Sequence, residues 1–117
     1  MSELRTTPDR FLPHRYAGAS GDFNPIHIDE AFARQVGLPG TILHGLWTMA
    51  QVARLAVQEG GGDPAALESL EVEFRGMGVP EQEVVVTATR EGDELALEAV
   101  QGDRALVRNG RARLRRP

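Results

Sequence analysis

The sequence predicts an α+β domain in which one long helix is wrapped by an antiparallel sheet. Three observations lead there. Residues 44–62, "HGLWTMAQVARLAVQEGGG", form a helical pattern whose polar residues fall in a stripe at Gln51, Arg54 and Gln58. A helix apolar around most of its girth is buried on most sides. After it the period changes to two: Leu70, Val72 and Phe74 alternate with Glu71 and Glu73. "EVVVTATRE", "ELALEAVQ" and "RALVRNGRARLRR" then follow, separated by "EGDE" and "QGDR", which read as hairpin turns. Strands with one charged face belong to an antiparallel sheet wet on one side. A helix this apolar needs such a sheet curled around it.

The elements can be justified in order. Residues 1–10 are polar and expected to be loose. Phe11 to Ala19 predicts a short helix, broken at Pro13. Gly18, Gly21 and Pro25 mark irregular backbone, and Pro25 biases Asn24 away from helical geometry. "DEAFARQVG" predicts a second short helix, with Asp29 as N-cap and Gly37 as its stop. "LPGT" is a turn. Gly60, Gly61 and Gly62 end the long helix, and about four strands follow.

Composition bounds the function. A chain of 117 residues, 41% hydrophobic, supports one domain over 1–117. Its core is modest, so oligomerisation is a natural way to bury more surface. The net charge is −4, and all 13 basic residues are Arg. A mildly acidic surface argues against general nucleic-acid binding. The absence of Cys excludes disulfides, thiolate metal sites and Cys nucleophiles. No apolar run approaches the roughly 20 residues that span a bilayer. The lead "MSELRTTPDR" lacks the apolar segment of a secretory signal. The expectation is a cytoplasmic protein with neither nucleic acid nor membrane as partner.

The chemistry gathers in "SGDFNPIHID", residues 20–29. Asp22 and His27 would not share a helix face well, but around the Asn-Pro bend they can converge. A carboxylate beside an imidazole makes an acid–base pair. Asn24 carries donor and acceptor and can hold either partner or the turn. An ordinary turn explains the Asp, Asn and Pro equally well. Gly45 shifts that balance. It stands where the long helix begins, and the first amides of a helix have no intrahelical partner and favour negative charge. A glycine there lets a ligand oxygen approach the backbone. Taken alone, a glycine near a helix start reads equally as a packing choice.

Together, "YAGASGDFNPIHID" and "LHGLWTMA" resemble the MaoC-like family of (R)-specific enoyl hydratases and (3R)-hydroxyacyl dehydratases. Tyr16, Ser20, Gly21, Asp22, Asn24, Pro25, Ile26, His27 and Asp29 fall on that family's motif, and the spacing from His27 to the His44–Gly45 pair fits. The resemblance implies a hotdog fold, a long helix wrapped by a curved antiparallel sheet. It implies catalytic roles for Asp22 and His27, support from Asn24, and an oxyanion contact from the Gly45 amide. It implies acyl thioesters of coenzyme A or acyl carrier protein as substrates, no cofactor, no metal, and dimers that shape an acyl tunnel near their interface. A homodimer is expected, with a heterodimer as the alternative. Family members usually carry a strand before the motif, so the sheet is expected to lack a full N-terminal strand.

Further residues carry weaker readings. Tyr16, Phe23 and Trp47 are candidate substrate contacts, with Trp47 a limit on acyl length; core packing competes for Tyr16 and Trp47. A metal triad of Asp22, His27 and His44 is set aside, because His44 has no evident reason to join the others. His14 is expected at the surface. Arg108 to Arg116 reads as a strand face plus tail. Two other functions stay open: a hotdog acyl-thioesterase, and a non-catalytic partner subunit of a heterodimeric dehydratase.

Overall fold

The structure, a computed structural model, describes residues 1–115. Its elements run β1 (Ser2–Thr6), α1 (Leu12–Ser20), α2 (Pro25–Ile28), α3 (Glu30–Gln35), α4 (Gly45–Glu59), a 3₁₀ turn at Pro64–Ala66, β2 (Leu67–Phe74), β3 (Val84–Glu91), β4 (Glu94–Gln101) and β5 (Arg104–Leu114). The strands form one antiparallel sheet of five, in the order β1-β3-β4-β5-β2. Helix α4 touches every one of them. Among the described residues, no helix is long and apolar enough to cross a membrane.

The alternation seen in the sequence sets the buried face. Val84, Val86 and Ala88 of β3, Leu95, Leu97 and Ala99 of β4, and Leu106, Ala112 and Leu114 of β5 all enter the core with Val52, Leu55 and Ala56 of α4. Each such Val or Leu contributes about 1.5–3 kcal/mol of burial. The two hairpins turn on Gly92 (φ +64°) and Gly102 (φ +62°), each at the first loop position. That is where a two-residue hairpin turn of type II′ demands a glycine. Arg108, Arg111 and Arg113 lie on the exposed face of β5, as read from alternation. Arg116 lies outside the described residues.

Four expectations are corrected. The lead is not loose, and the sheet does not lack its N-terminal strand: β1 pairs with β3, Leu4 opposite Val86. Only Leu4 of β1 is fully buried, so an edge strand with one core contact has the composition of a polar lead. Pro13 does not break α1. It stands in the first turn, where its missing N–H has no helical partner to lose. Pro25 does more than bend the chain, because it begins α2, a single helical turn capped by Asn24. Gln51 does not join a wet stripe. It is buried, its amide donating to the Trp47 carbonyl at 3.4 Å and accepting from Arg54 at 3.1 Å. The exposed stripe of α4 instead runs through Leu46, Ala50, Arg54 and Gln58.

Candidate active site

The site is built by a run of local hydrogen bonds. Helix α1 ends at Gly21 in the left-handed region (φ +80°), which reverses the chain. The Ser20 hydroxyl then accepts from Asp22 N–H at 3.2 Å. One carboxylate oxygen of Asp22 accepts from Asn24 N–H at 3.2 Å. The Asn24 side-chain oxygen accepts from Ile26 N–H at 3.2 Å, capping α2. One oxygen of Asp22 is thus occupied by the turn and the other is left to the site. Ile26 and Ile28 are half-buried and seat the turn.

His27 is buried, and its Nδ1 lies 2.9 Å from the Ile42 carbonyl. A carbonyl can only accept, so Nδ1 carries the proton and Nε2 of the neutral ring is a free acceptor. Nε2 lies 3.8 Å from Asp22 Oδ2. That is too long for a direct hydrogen bond. It is a fitting base for one oxygen atom within hydrogen-bond reach, about 2.8 Å, of both. The two partners differ in setting: the His27 side chain is 9% exposed and that of Asp22 54%.

Gly45 is the first residue of α4, so its amide has no intrahelical partner. It lines a cavity of about 210 Å³ together with His27, Ile42, Thr48, Phe74 and Met77. A Cβ on Gly45 would come within 3.3 Å of the Phe74 ring, so a side chain there would crowd this wall. The cavity therefore has an imidazole acceptor on one side and a helix N-terminus on another. That arrangement suits a reaction in which a proton moves at one atom while negative charge grows on a nearby oxygen.

The structure brings Asp22, Asn24, His27 and Gly45 into one neighbourhood. It also brings in His44, contrary to expectation. The His44 ring is buried and stacks on His27, centroids 3.8 Å apart and planes 18° apart. Its Nε2–H donates to the Asp22 backbone carbonyl at 3.0 Å. The signal that could have found it was the buried-helix start itself, which fixes His44 beside Gly45. A ligand atom from each of Asp22, His27 and His44 lies within 4.8 Å of the others. The stack still does not suit a metal. Imidazole lone pairs lie in their ring planes, and near-parallel planes stacked this way cannot both aim at one ion roughly 2.0–2.1 Å from each nitrogen.

The other candidates sit apart from the cavity. Tyr16 is half-buried against the His44 ring, centroids 4.9 Å apart. Phe23 is 58% exposed, and Trp47 belongs to the core. Phe74, Met77 and Thr48, which do line the cavity, were not singled out by sequence: two arrive from the far side of the chain and Thr48 is hidden in an apolar helix. His14 is exposed, with Nε2 donating to the Ile28 carbonyl at 3.1 Å.

Comparison with known proteins agrees with this architecture. Residues 3–108 match the MaoC like domain. The chain is 31% identical over 106 residues to the peroxisomal hydratase-dehydrogenase-epimerase of Saccharomyces cerevisiae, covering 91% of this chain and 11% of that protein. It spans only 4% of the fatty acid synthase beta subunit pkiC of Emericella nidulans, which it matches at 40% identity over 66% of its own length. Among solved structures, a MaoC-like dehydratase from Phytophthora capsici superposes with a TM-score of 0.91 at 28% identity, over 99% of this chain and 42% of that one. The (R)-hydratase from A. caviae involved in PHA biosynthesis superposes at 0.82 with 25% identity, over 99% of this chain and 93% of that one. The five-stranded sheet around α4 is the hotdog fold. The chain belongs to the MaoC-like dehydratase domain family.

Proposed function

We propose that this chain catalyses (R)-specific hydration of 2-enoyl thioesters, and the reverse dehydration of (3R)-hydroxyacyl thioesters, carried on coenzyme A or acyl carrier protein. The observation that carries the reading is the 3.8 Å separation of His27 Nε2 and Asp22 Oδ2 beside a cavity that Gly45 also lines. The near-complete overlap with the A. caviae (R)-hydratase supports it.

The thioester carbonyl accepts a hydrogen bond from Gly45 N–H, so negative charge can develop on that oxygen. A water oxygen held by Asp22 and His27 bonds to C3 and gives one proton to the pair. The pair returns one proton to C2, the thioester carbonyl re-forms, and the pair ends as it began. The two groups act as a unit in this proton traffic. Asn24 shapes the turn that holds Asp22 and touches no reacting atom.

The test is hydration of crotonyl-CoA by wild type, Asp22→Asn and His27→Ala. Wild-type turnover with loss in both variants supports the reading. No hydration by wild type across short and long acyl chains overturns it, and release of free thiol instead marks a thioesterase.

The same reading makes the working unit a dimer. Among the described residues, no strand pairs with the outer edge of β2, and an open edge invites pairing. Phe74 and Met77 line the cavity yet are 52% and 51% exposed, and Leu46 beside Gly45 is 62% exposed. A second copy of this chain is the proposed partner. A monomer mass for the pure protein, with activity restored by a different hotdog chain, would point to a heterodimer instead.

A further inference from the structure

We propose that His44 is a positioning residue, which fixes both the orientation of the His27 ring and the distance of Asp22 from it. The kinetic part of this inference rests on the hydratase reading; the structural part does not.

His44 is 3% exposed and touches both members of the acid–base pair. Its ring lies flat on His27, centroids 3.8 Å apart. Its Nε2–H holds the Asp22 backbone carbonyl at 3.0 Å, so the segment carrying the carboxylate is tied to the start of α4. Its own carbonyl accepts from Trp47 and Thr48 N–H at 3.1 and 3.4 Å, making it the cap of the helix whose next residue is Gly45. One residue thus joins the carboxylate, the imidazole and the helix N-terminus. Donation through Nε2 leaves Nδ1 of the neutral ring as a lone pair, and that atom is buried with no hydrogen-bond partner among the described residues. The titratable groups that meet it are Tyr16 of α1, Asp22 of the turn between α1 and α2, and His27 of α2.

The test uses two variants and one spectroscopic signature. His44→Phe keeps a ring against His27 and loses the bond to Asp22. His44→Gln keeps a donor and loses the ring. Both are expected to lower kcat for crotonyl-CoA with KM little changed, by about 100-fold for His44→Phe if the carboxylate moves about 1 Å. Nitrogen-15 spectra of the imidazoles should show wild-type His44 protonated at Nε2 and His27 at Nδ1, with the His27 signals shifted and broadened in His44→Gln as its ring loses the stacking partner that fixes its orientation. Wild-type kcat and an unchanged His27 signature in the variants would overturn the proposal. So would a wild-type His44 carrying its proton on Nδ1, a result that stands even where a variant does not fold. If wild type hydrates no thioester, the function fails alone, and the tautomer spectra still decide the positioning role.

Discussion

The buried amide of Gln101 and the buried imidazoles of His27 and His44 are finished differently. Gln101 is 2% exposed, and its side-chain amide is fully employed. It accepts from Val79 N–H at 2.9 Å and donates to the carbonyls of Val79 and Gln82 at 2.8 and 3.1 Å. The His27–His44 cluster leaves Nε2 of His27 without a direct hydrogen bond to its neighbouring carboxylate and Nδ1 of His44 with no partner among the described residues. A satisfied buried amide is a clamp that fixes a loop. A buried acceptor without a donor is costly to keep, and at His27, which lines the cavity, it makes sense where a substrate or water supplies that donor.

The comparison can be broken from either side. The largest effect is expected at the unfinished cluster: His27→Ala should lower kcat/KM for hydration by about 1,000-fold, within the usual range for a general acid–base. Next is the clamp. Gln101→Leu removes four hydrogen bonds, the fourth from the Arg104 guanidinium at 3.4 Å, and should cost about 2–4 kcal/mol in denaturant unfolding, with turnover per folded molecule retained. Gly110→Ala should cost somewhat less, about 1–3 kcal/mol of overpacking, because its Cβ would stand 2.7 Å from the Leu97 carbonyl oxygen.

The smallest effect concerns acid. The Asn109 side-chain amide, and then the Arg75 guanidinium, hold the Glu73 carboxyl below its ordinary range. A lowered folded-state value contributes stability that is present above the unfolded value and lost as pH falls through the folded one. Glu73→Gln should therefore lower the melting temperature slightly near neutral pH and leave it unchanged at the acid end, which flattens the acid limb of the profile.

The division between clusters also explains what sequence could reveal. The β3, β4 and β5 pattern was legible because core and solvent alternate along each strand, and the glycines of "EGDE" and "QGDR" fixed the turns. Strand β1 was not legible, because Leu4 is its only fully buried residue and its pairing partner β3 lies about 80 residues away. Asp22, Asn24, His27 and Gly45 could be picked out because they fall on the motif of the family the sequence resembles, and His27 is drawn to within 3.8 Å of Asp22. His44 was passed over because its contact with Asp22 spans 22 residues. Gln51 misled because polarity alone does not report whether a side-chain amide finds partners indoors.

Asp22 offers the cleanest test of the central claim. Its carboxylate is mostly exposed, so replacing it should disturb chemistry far more than folding. The decisive measurement is the crotonyl-CoA hydration rate of Asp22→Asn per folded molecule, beside its melting temperature. The account predicts a loss of at least about 100-fold with a melting temperature near that of wild type. A wild-type rate in Asp22→Asn would contradict it.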